Sequence, residues 1–391
     1  MNIAFGIYQT GSRANGGVES ITQIIESLGR GHSIVIFTNL ESPTCGRWRA
    51  VGARVVVMGG VSMGKSFWRG GLIGIVGRLF SILRVNIFVA FQILRFKINL
   101  VHCNDPAPFL YIAFAARILR KPFVFNLRDT KAEGEAISSR KYRFYFRFSD
   151  RVIVLSNEMK RFYERFTNIP DKVVFIYSAV DFSRFFPANL EEKTKLRLKL
   201  GIDTCHLAVG FVAVFSDKKN QLGFIDNTAW KWRKHLPDIK LYFVGDFDVK
   251  GKIYDRKCYE ACEKAEVFDY FNFVGFANDI ENYYRAFDLI VVPTRKEGLA
   301  RCMIESLACG TPVVSFDVSS AHEILTANGL GSVVKQGDYS ALIGSIAQQL
   351  TKSRQELQCL SVHCHQIAQQ LFNPRYIVDQ YKKLYVEALE R

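Results

Sequence analysis

The feature that most constrains this chain is an alternation, run through twice, of short β-branched segments with helical stretches. Candidate strands fall at residues 2–7, 33–38, 54–58, 100–104, 123–127, 152–156 and 173–177. A second set follows at 207–215, 240–244, 271–274, 289–293, 312–316 and 332–334. Strands separated by helices read as βαβ units, which close into parallel sheets covered on both faces. Each set predicts one doubly wound sheet, and 391 residues are enough for two such domains. FSRFFPAN interrupts the alternation around residues 181–188, which places one domain at 1–183 and the next at 184–372. The tail, 373–391, opens on Asn373-Pro374, a cap followed by a proline at the first helical position, and is expected to pack back on the first domain. The α/β architecture expected is two facing Rossmann-like domains with ligands in a central cleft, beyond the carboxyl ends of the strands.

Composition excludes several classes. With 49% apolar and 23% charged residues, disordered, collagen-like and coiled-coil chains drop out. Nine cysteines without paired zinc-ribbon spacings read as reduced thiols. Cys258 with Cys262, and the run His363-Cys364-His365, leave a metal site conceivable, although the CxxC and HxxxH ligand pairs of zinc sites are missing. The N-terminus lacks the basic leader of a targeting peptide. The charge-free apolar runs 85–94 and 106–116 fall short of the ~18 residues of a spanning helix, so no membrane crossing is expected.

Charge is asymmetric. The net charge of +15 sits almost wholly before residue 200, where 30 basic residues face 14 acidic ones, against 22 and 23 after it. No acid lies between Glu41 and Asp105, and this basic window is also apolar, FWRGGLIGIVGRLFSILRVNIFVAFQILRFK. Basic residues spaced through aromatic and aliphatic ones suit a surface lying on anionic headgroups. The alternatives are a buried helix pair with snorkelling arginines and a nucleic-acid groove, for which no helix-turn-helix, finger or RRM pattern is present.

The segment PTRKEGLARCMIESLACGTPVVSF, 293–316, carries the most chemistry. Glu297 follows a strand end, and Gly298 is expected to open a helix that sets Glu305 about two turns on along the same face. A glycine at a helix start allows phosphate to approach free backbone amides. Glu305 is one of two charges between Gly298 and Val314, and a carboxylate in such a setting needs a partner or a polar ligand such as a ribose diol. A lysine across a domain contact is the other candidate partner.

Glu297 and Glu305 form an E-x7-E pattern, and with their flanks, FVGFANDIENYYRAFDLIVVPTRKEG and ACGTPVVSF, closely resemble glycosyltransferase family 4, over nearly the whole chain. Gly16-Gly17-Val18-Glu19 resembles the family's GGxE loop, and Lys219-Asn220-Gln221, preceded by Lys218, its phosphate-facing lysine motif. DRVIVLS and VVFIYSAVDFSRFFP resemble its domain-closing elements. The resemblance implies a GT-B fold whose second domain holds a nucleotide-sugar and whose first holds the acceptor. It implies Glu305 on the ribose, Glu297 on the sugar hydroxyls, and the amides of Gly298, Leu299 and Ala300 on the sugar and diphosphate. Lys218, Lys219 and the Gly16-Gly17 loop would neutralise the departing diphosphate. It further implies retention of anomeric configuration without a metal or other cofactor.

Three positions depart from the family pattern. Ala213-Val214 stands where a Gly-Arg pair supplies a cation, Arg128 where a histidine approaches the sugar, and Ser178-Ala179 where Asn-Gly is usual. Arg128 is a candidate replacement cation, because a guanidinium grips phosphate bidentately. The other reading pairs it with Asp129. Two further patterns compete: residues 59–66, GGVSMGKS, satisfy a phosphate-loop NTPase pattern, and Asp246 and Asp248 have DxD metal spacing but read better as a solvated loop. The function expected is a retaining, hexosyl-type glycosyltransferase acting from a nucleoside-diphosphate sugar on a glycan acceptor, carried on lipid, in lipopolysaccharide, O-antigen, capsule or exopolysaccharide assembly. The expected location is the cytoplasmic face of the membrane, peripherally bound to anionic lipid. A nucleotide-sugar epimerase and a non-catalytic binding module of the same fold are the alternatives.

Overall fold

The structure is a computed structural model describing residues 1–11, 16–29, 31–58, 71–128, 139–169 and 171–390. The phosphate-loop-like segment 59–66 and Asp129 lie outside the described residues. The chain divides into two units: Met1–Arg128, Ala136–Ala179 and Pro374–Arg391 contribute to one, Val180–Asn373 to the other. Residues 180–183 therefore group with the second unit and not with the first.

In the first unit the strands are β1 (Asn2–Ile7), β2 (Ser33–Thr38), β3 (Arg54–Val57), β4 (Leu100–Cys103), β5 (Phe123–Asn126), β6 (Arg151–Val154) and β7 (Val173–Phe175). They form a fully parallel sheet of order β3-β2-β1-β4-β5-β6-β7. The helices are α1 (Gly16–Leu28), α2 (Pro43–Ala50), α3 (Gly71–Arg95), α4 (Pro106–Ile118), α5 (Ser139–Phe148) and α6 (Asn157–Glu164). Strands β4, β5 and β6 are buried at every position, so they read in sequence as mainly apolar rather than alternating, each with one polar residue, His102, Asn126 and Arg151. The C-terminal helix, Pro374–Leu389, packs on α1, with Ile377, Tyr381, Leu384 and Tyr385 in the same apolar core as Ile21 and Ile25.

The second unit holds β8 (Leu207–Val212), β9 (Ile239–Val244), β10 (Phe271–Gly275), β11 (Leu289–Val292), β12 (Val313–Phe316) and β13 (Gly331–Val334). These too are parallel, in the order β10-β9-β8-β11-β12-β13. Around them lie α7 (Leu190–Leu200), α8 (Gln221–His235), α9 (Ile253–Lys264), α10 (Ile280–Ala286), α11 (Arg301–Ala308), α12 (Tyr339–Leu350) and α13 (Arg354–Phe372), with a π-helical turn at His322–Thr326. Helix α7 starts in a capping box of Asn189 and Glu192 and ends on Gly201 in the left-handed conformation. Gly245, just after β9, passes so close to the Ala213 carbonyl that a Cβ there would overlap it. The strands stand where the sequence places them, with β8 ending three residues sooner.

Helix α3 corrects the reading of the basic apolar window. It runs through Arg78 and Arg84, so charge-free runs understate its length, and Gly74–Arg95 is long and apolar enough to cross a membrane by length and composition. It is also mostly exposed and so is not one of a buried helix pair.

His102 of β4 is fully buried, stacked on Tyr381 with ring centroids 5.9 Å apart, and its Nδ1 lies 2.6 Å from the Tyr385 hydroxyl. Burial pushes the imidazole down to about 3. An unfolded histidine titrates near ~6.5, so on acidification the unfolded chain takes up this proton first. The contribution to stability is complete above about pH 6.5 and falls as the pH drops toward the folded value, by about 1.4 kcal/mol per pH unit. Urea unfolding of wild type and His102→Asn between pH 6 and pH 4 checks this. The wild type is expected to lose stability more steeply, and parallel pH slopes would contradict it.

Candidate active site

Parallel sheets bind ligands beyond their carboxyl ends, where the strand order reverses. In the second unit the reversal lies between β8 and β11, and the loops following these strands are joined there. After β8 the chain turns tightly: the amides of Lys219 and Asn220 donate to the Ser216 carbonyl at 2.9 and 3.1 Å. Asn220 then enters α8 with a left-handed backbone, φ 69°, a conformation asparagine adopts more readily than most residues. Gln221, fully buried, fastens the turn from within by donating to the Val214 carbonyl at 3.1 Å.

Several polar contacts tie this turn to the loop after β11. Asn220 donates to the Pro293 carbonyl at 2.9 Å. The Thr294 hydroxyl and the Arg295 amide donate to the Lys218 carbonyl at 2.9 and 3.0 Å. The Arg295 guanidinium pairs with Asp217 at 2.9 Å. The consequence is a fixed charge cluster: Glu297 Oε1 lies 2.8 Å from Lys219 Nζ, and Oε2 lies 3.2 Å from Lys218 Nζ. The Glu297 and Lys219 side chains are 12% and 19% exposed, so the attraction is screened less than between free surface charges.

The next residues correct the sequence reading. Gly298 does not open a helix; Gly298, Leu299 and Ala300 make a buried turn, and α11 starts at Arg301. Glu297 and Glu305 thus do not share a helix face, because the extended backbone of Ala300, ψ 113°, breaks the helical register between them. Ala300 supplies no side-chain cap to α11; its carbonyl accepts from the Met303 amide at 3.1 Å.

Glu305 is buried on α11 and is held within its own unit. Arg301, one turn earlier, pairs with Oε1 at 2.8 Å, and the Tyr284 hydroxyl donates to Oε2 at 3.1 Å. An arginine and a tyrosine thus stand where the sequence left room for a lysine across a domain contact. Burial, with the Glu305 carboxylate adding to it, pushes the Tyr284 hydroxyl well above its usual range, so it remains a donor. The thiol of Cys302 is within electrostatic reach of Lys219, Glu297 and Glu305, and burial pushes it up to about 12, which makes it a poor nucleophile.

The first unit has its own cluster where β1 and β4 diverge. Asn104, just past β4 and 1% exposed, accepts from Arg128 Nε and Nη2 at 3.1 and 2.9 Å and donates to the Gly17 carbonyl at 3.3 Å. Gly16 and Gly17 begin α1. The first unit therefore brings Gly17 and Arg128 together through Asn104, and the second unites Lys218, Lys219 and Glu297. Sequence reasoning missed Asn104, Tyr284, Thr294 and Arg295, and named Asn220 only as part of the lysine motif. A polar residue immediately after an apolar strand was the available signal for Asn104 and Thr294.

The competing patterns have other roles. Asp246 pairs with Lys252 at 2.8 Å, while Asp248 accepts from the Lys250 and Gly251 amides of its own turn. Cys258 and Cys262 are buried in the apolar core, where burial raises both thiols to about 12, against the thiolate a metal requires. His363 and His365 lie 2.8 and 2.6 Å from the carbonyls of Asn328 and Ala308. Val214 is exposed and brings no charge to the turn after β8.

Comparison with known proteins agrees with this layout. The family model described as Glycosyltransferase Family 4 matches residues 14–184, and that described as Glycosyl transferases group 1 matches 192–361. The chain is 29% identical over 210 residues to the lipopolysaccharide core biosynthesis mannosyltransferase LpsB of Rhizobium meliloti (strain 1021), covering 52% of this chain and 56% of that protein. It therefore spans little more than half the length of that relative. It is 23% identical over 300 residues to the UDP-Gal:alpha-D-GlcNAc-diphosphoundecaprenol alpha-1,3-galactosyltransferase of Escherichia coli, covering 74% of this chain and 76% of that one. Among solved structures, Anabaena HepE in complex with UDP-glucose superposes with a TM-score of 0.79 at 19% identity, over 99% of this chain and 100% of that one. The fold is GT-B, and with a family match across most of each unit the chain belongs to glycosyltransferase family 4.

Proposed function

We propose that this glycosyltransferase is a retaining, hexosyl-type enzyme that takes its sugar from a nucleoside-diphosphate donor. Its acceptor is a glycan on a lipid carrier, in lipopolysaccharide, O-antigen, capsule or exopolysaccharide assembly at the cytoplasmic face of a membrane. The observation that carries the reading is the Lys218–Glu297–Lys219 cluster, fixed by the loops after β8 and β11 and followed by the side-chain-uncapped start of α11. Two ammonium groups beside a helix start suit a diphosphate, whose charge rises as the sugar departs. The names of the mannosyltransferase and galactosyltransferase relatives support a hexose donor and surface-glycan assembly.

In the reaction the bond between the sugar's anomeric carbon and the diphosphate oxygen breaks, and an acceptor hydroxyl oxygen bonds to that carbon on the same face. The hydroxyl proton passes to the leaving diphosphate. Lys219, with Lys218 beside it, neutralises the charge that collects there. Glu297, released from the lysines by the phosphates, accepts hydrogen bonds from the sugar hydroxyls. The amides of Gly298, Leu299 and Ala300 face sugar and diphosphate, Glu305 takes the ribose diol, and Arg128 with the Gly16-Gly17 turn adds positive charge at the diphosphate. Val214, in place of a second cation, favours one other reading, a donor-binding module without turnover.

Release of nucleoside diphosphate from UDP-, GDP- and ADP-hexoses, with polyprenyl-diphosphate glycans as acceptors, tests the reading. One donor is expected to turn over, and Lys219→Ala is expected to lower kcat roughly a hundredfold, the scale of losing one charge-stabilising donor. Arg128→Ala raises the donor KM if its guanidinium serves the diphosphate, and unchanged kinetics would remove it from that role. Donor binding without release from any sugar would establish the binding module. Because Asp246 and Asp248 are engaged by Lys252 and turn amides, EDTA is expected to leave the rate unchanged, and a rate abolished by EDTA and restored by a divalent ion would contradict this.

A further inference from the structure

Helix α3 departs from an ordinary surface helix in being apolar on its outward side as well as its inward one. Its outward stripe is apolar: Leu79, Phe80, Leu83, Ile87, Phe91 and Leu94 recur at helical spacing and are each 53–67% exposed. Its inward side carries Val85, Val89 and Ile93 with Asn86 and Gln92, all buried. Asn86 donates to the Leu110 carbonyl at 2.8 Å and accepts from the Ala115 amide at 2.9 Å, which fastens α3 along α4. A surface helix normally turns its apolar stripe to the core and its polar side to water. A contiguous exposed apolar stripe of this size marks an interaction surface.

The charges around the stripe select the occupant. Arg84, Arg95 and Lys97 are exposed on or just beyond α3, and no carboxylate occurs between Glu41 and Asp105. Aromatic contacts of Phe109 and Phe114 join α4 to α5, whose exposed side chains include Arg140, Lys141, Arg143 and Arg147. A second copy of this surface would bring the cations of α3 and α5 against their own kind, whereas anionic lipid supplies both the apolar phase and the counter-charge. Because α3 packs on α4 and is hydrogen-bonded to it at Asn86, an in-plane placement keeps the helix on its unit, although its ~37 Å length would suffice to cross a bilayer.

We propose that the exposed stripe of α3 is the membrane-docking surface of this protein, inserted in-plane among anionic headgroups with the flanking arginines at phosphate level. This deepens the membrane part of the function proposed above and rests on that part alone. Vesicle binding is read without donor or acceptor, so its failure leaves sugar transfer standing, and failed transfer leaves docking testable.

The full chain is mixed with phosphatidylcholine vesicles with or without phosphatidylglycerol and sedimented, alongside the double variant Phe80→Glu, Phe91→Glu. The wild type is expected to bind the phosphatidylglycerol vesicles, less so as salt rises, and the double variant at least tenfold more weakly with an unchanged thermal unfolding curve. A separate Phe91→Trp variant gives a readout that needs no loss of binding: its added fluorescence is expected to shift to the blue on phosphatidylglycerol vesicles and to be quenched by brominated lipid. Wild-type binding undiminished in the double variant would overturn the proposal. So would a wild type that ignores vesicles, including one that forms a dimer which the double variant dissolves.

Discussion

The second unit depends on one arrangement, a carboxylate held between two ammonium groups by loops from different strands. Glu297 can meet Lys218 and Lys219 only because Asn220, Thr294 and Arg295 join the turn after β8 to the loop after β11. The cluster is thus built before any ligand arrives, which is how an electrostatic site avoids reorganisation at the moment of reaction. The same pairing balances the charges when no phosphate is present. A diphosphate competes for the lysines and frees the carboxylate to accept hydrogen bonds from hydroxyls.

Both units place their polar clusters by one rule of topology. Where β8 and β11 run side by side, the crossovers leave in opposite directions and the strand ends stay open; β1 and β4 do the same in the first unit. Asn104 occupies that opening in the first unit, joining Gly17 to Arg128. The units differ on their outer surfaces. The first carries nearly all the excess positive charge and the exposed apolar helix α3, while the second is close to neutral.

The sheets were legible because strands buried on both faces, such as β11, leave apolar runs in the sequence. Glu297, Glu305 and Lys219 were legible through their spacing and their resemblance to a family. Their surroundings were less so. Spacing alone made Glu297 and Glu305 neighbours on a helix, but three non-helical residues separate Glu297 from α11, a backbone choice that residue spacing does not reveal. Asn104, Asn220 and Tyr284 act through contacts between distant parts of the chain, which a local pattern does not reveal. In α3 the composition was plain, but apolar residues on both sides left open which face would turn inward; Val85, Val89 and Ile93 are buried there with Asn86, which bonds to α4.

The central claim is that the second unit binds a nucleotide-sugar, with its diphosphate on the lysine cluster and its ribose on Glu305. Saturation-transfer NMR of the full chain with UDP-, GDP-, ADP- and CMP-sugars, repeated with Glu305→Ala, tests it most directly. The account predicts strong transfer to the ribose and anomeric protons of one diphosphate donor, lost in the variant while its fold is retained. Absence of transfer to every donor, or equal transfer in wild type and Glu305→Ala, would contradict it.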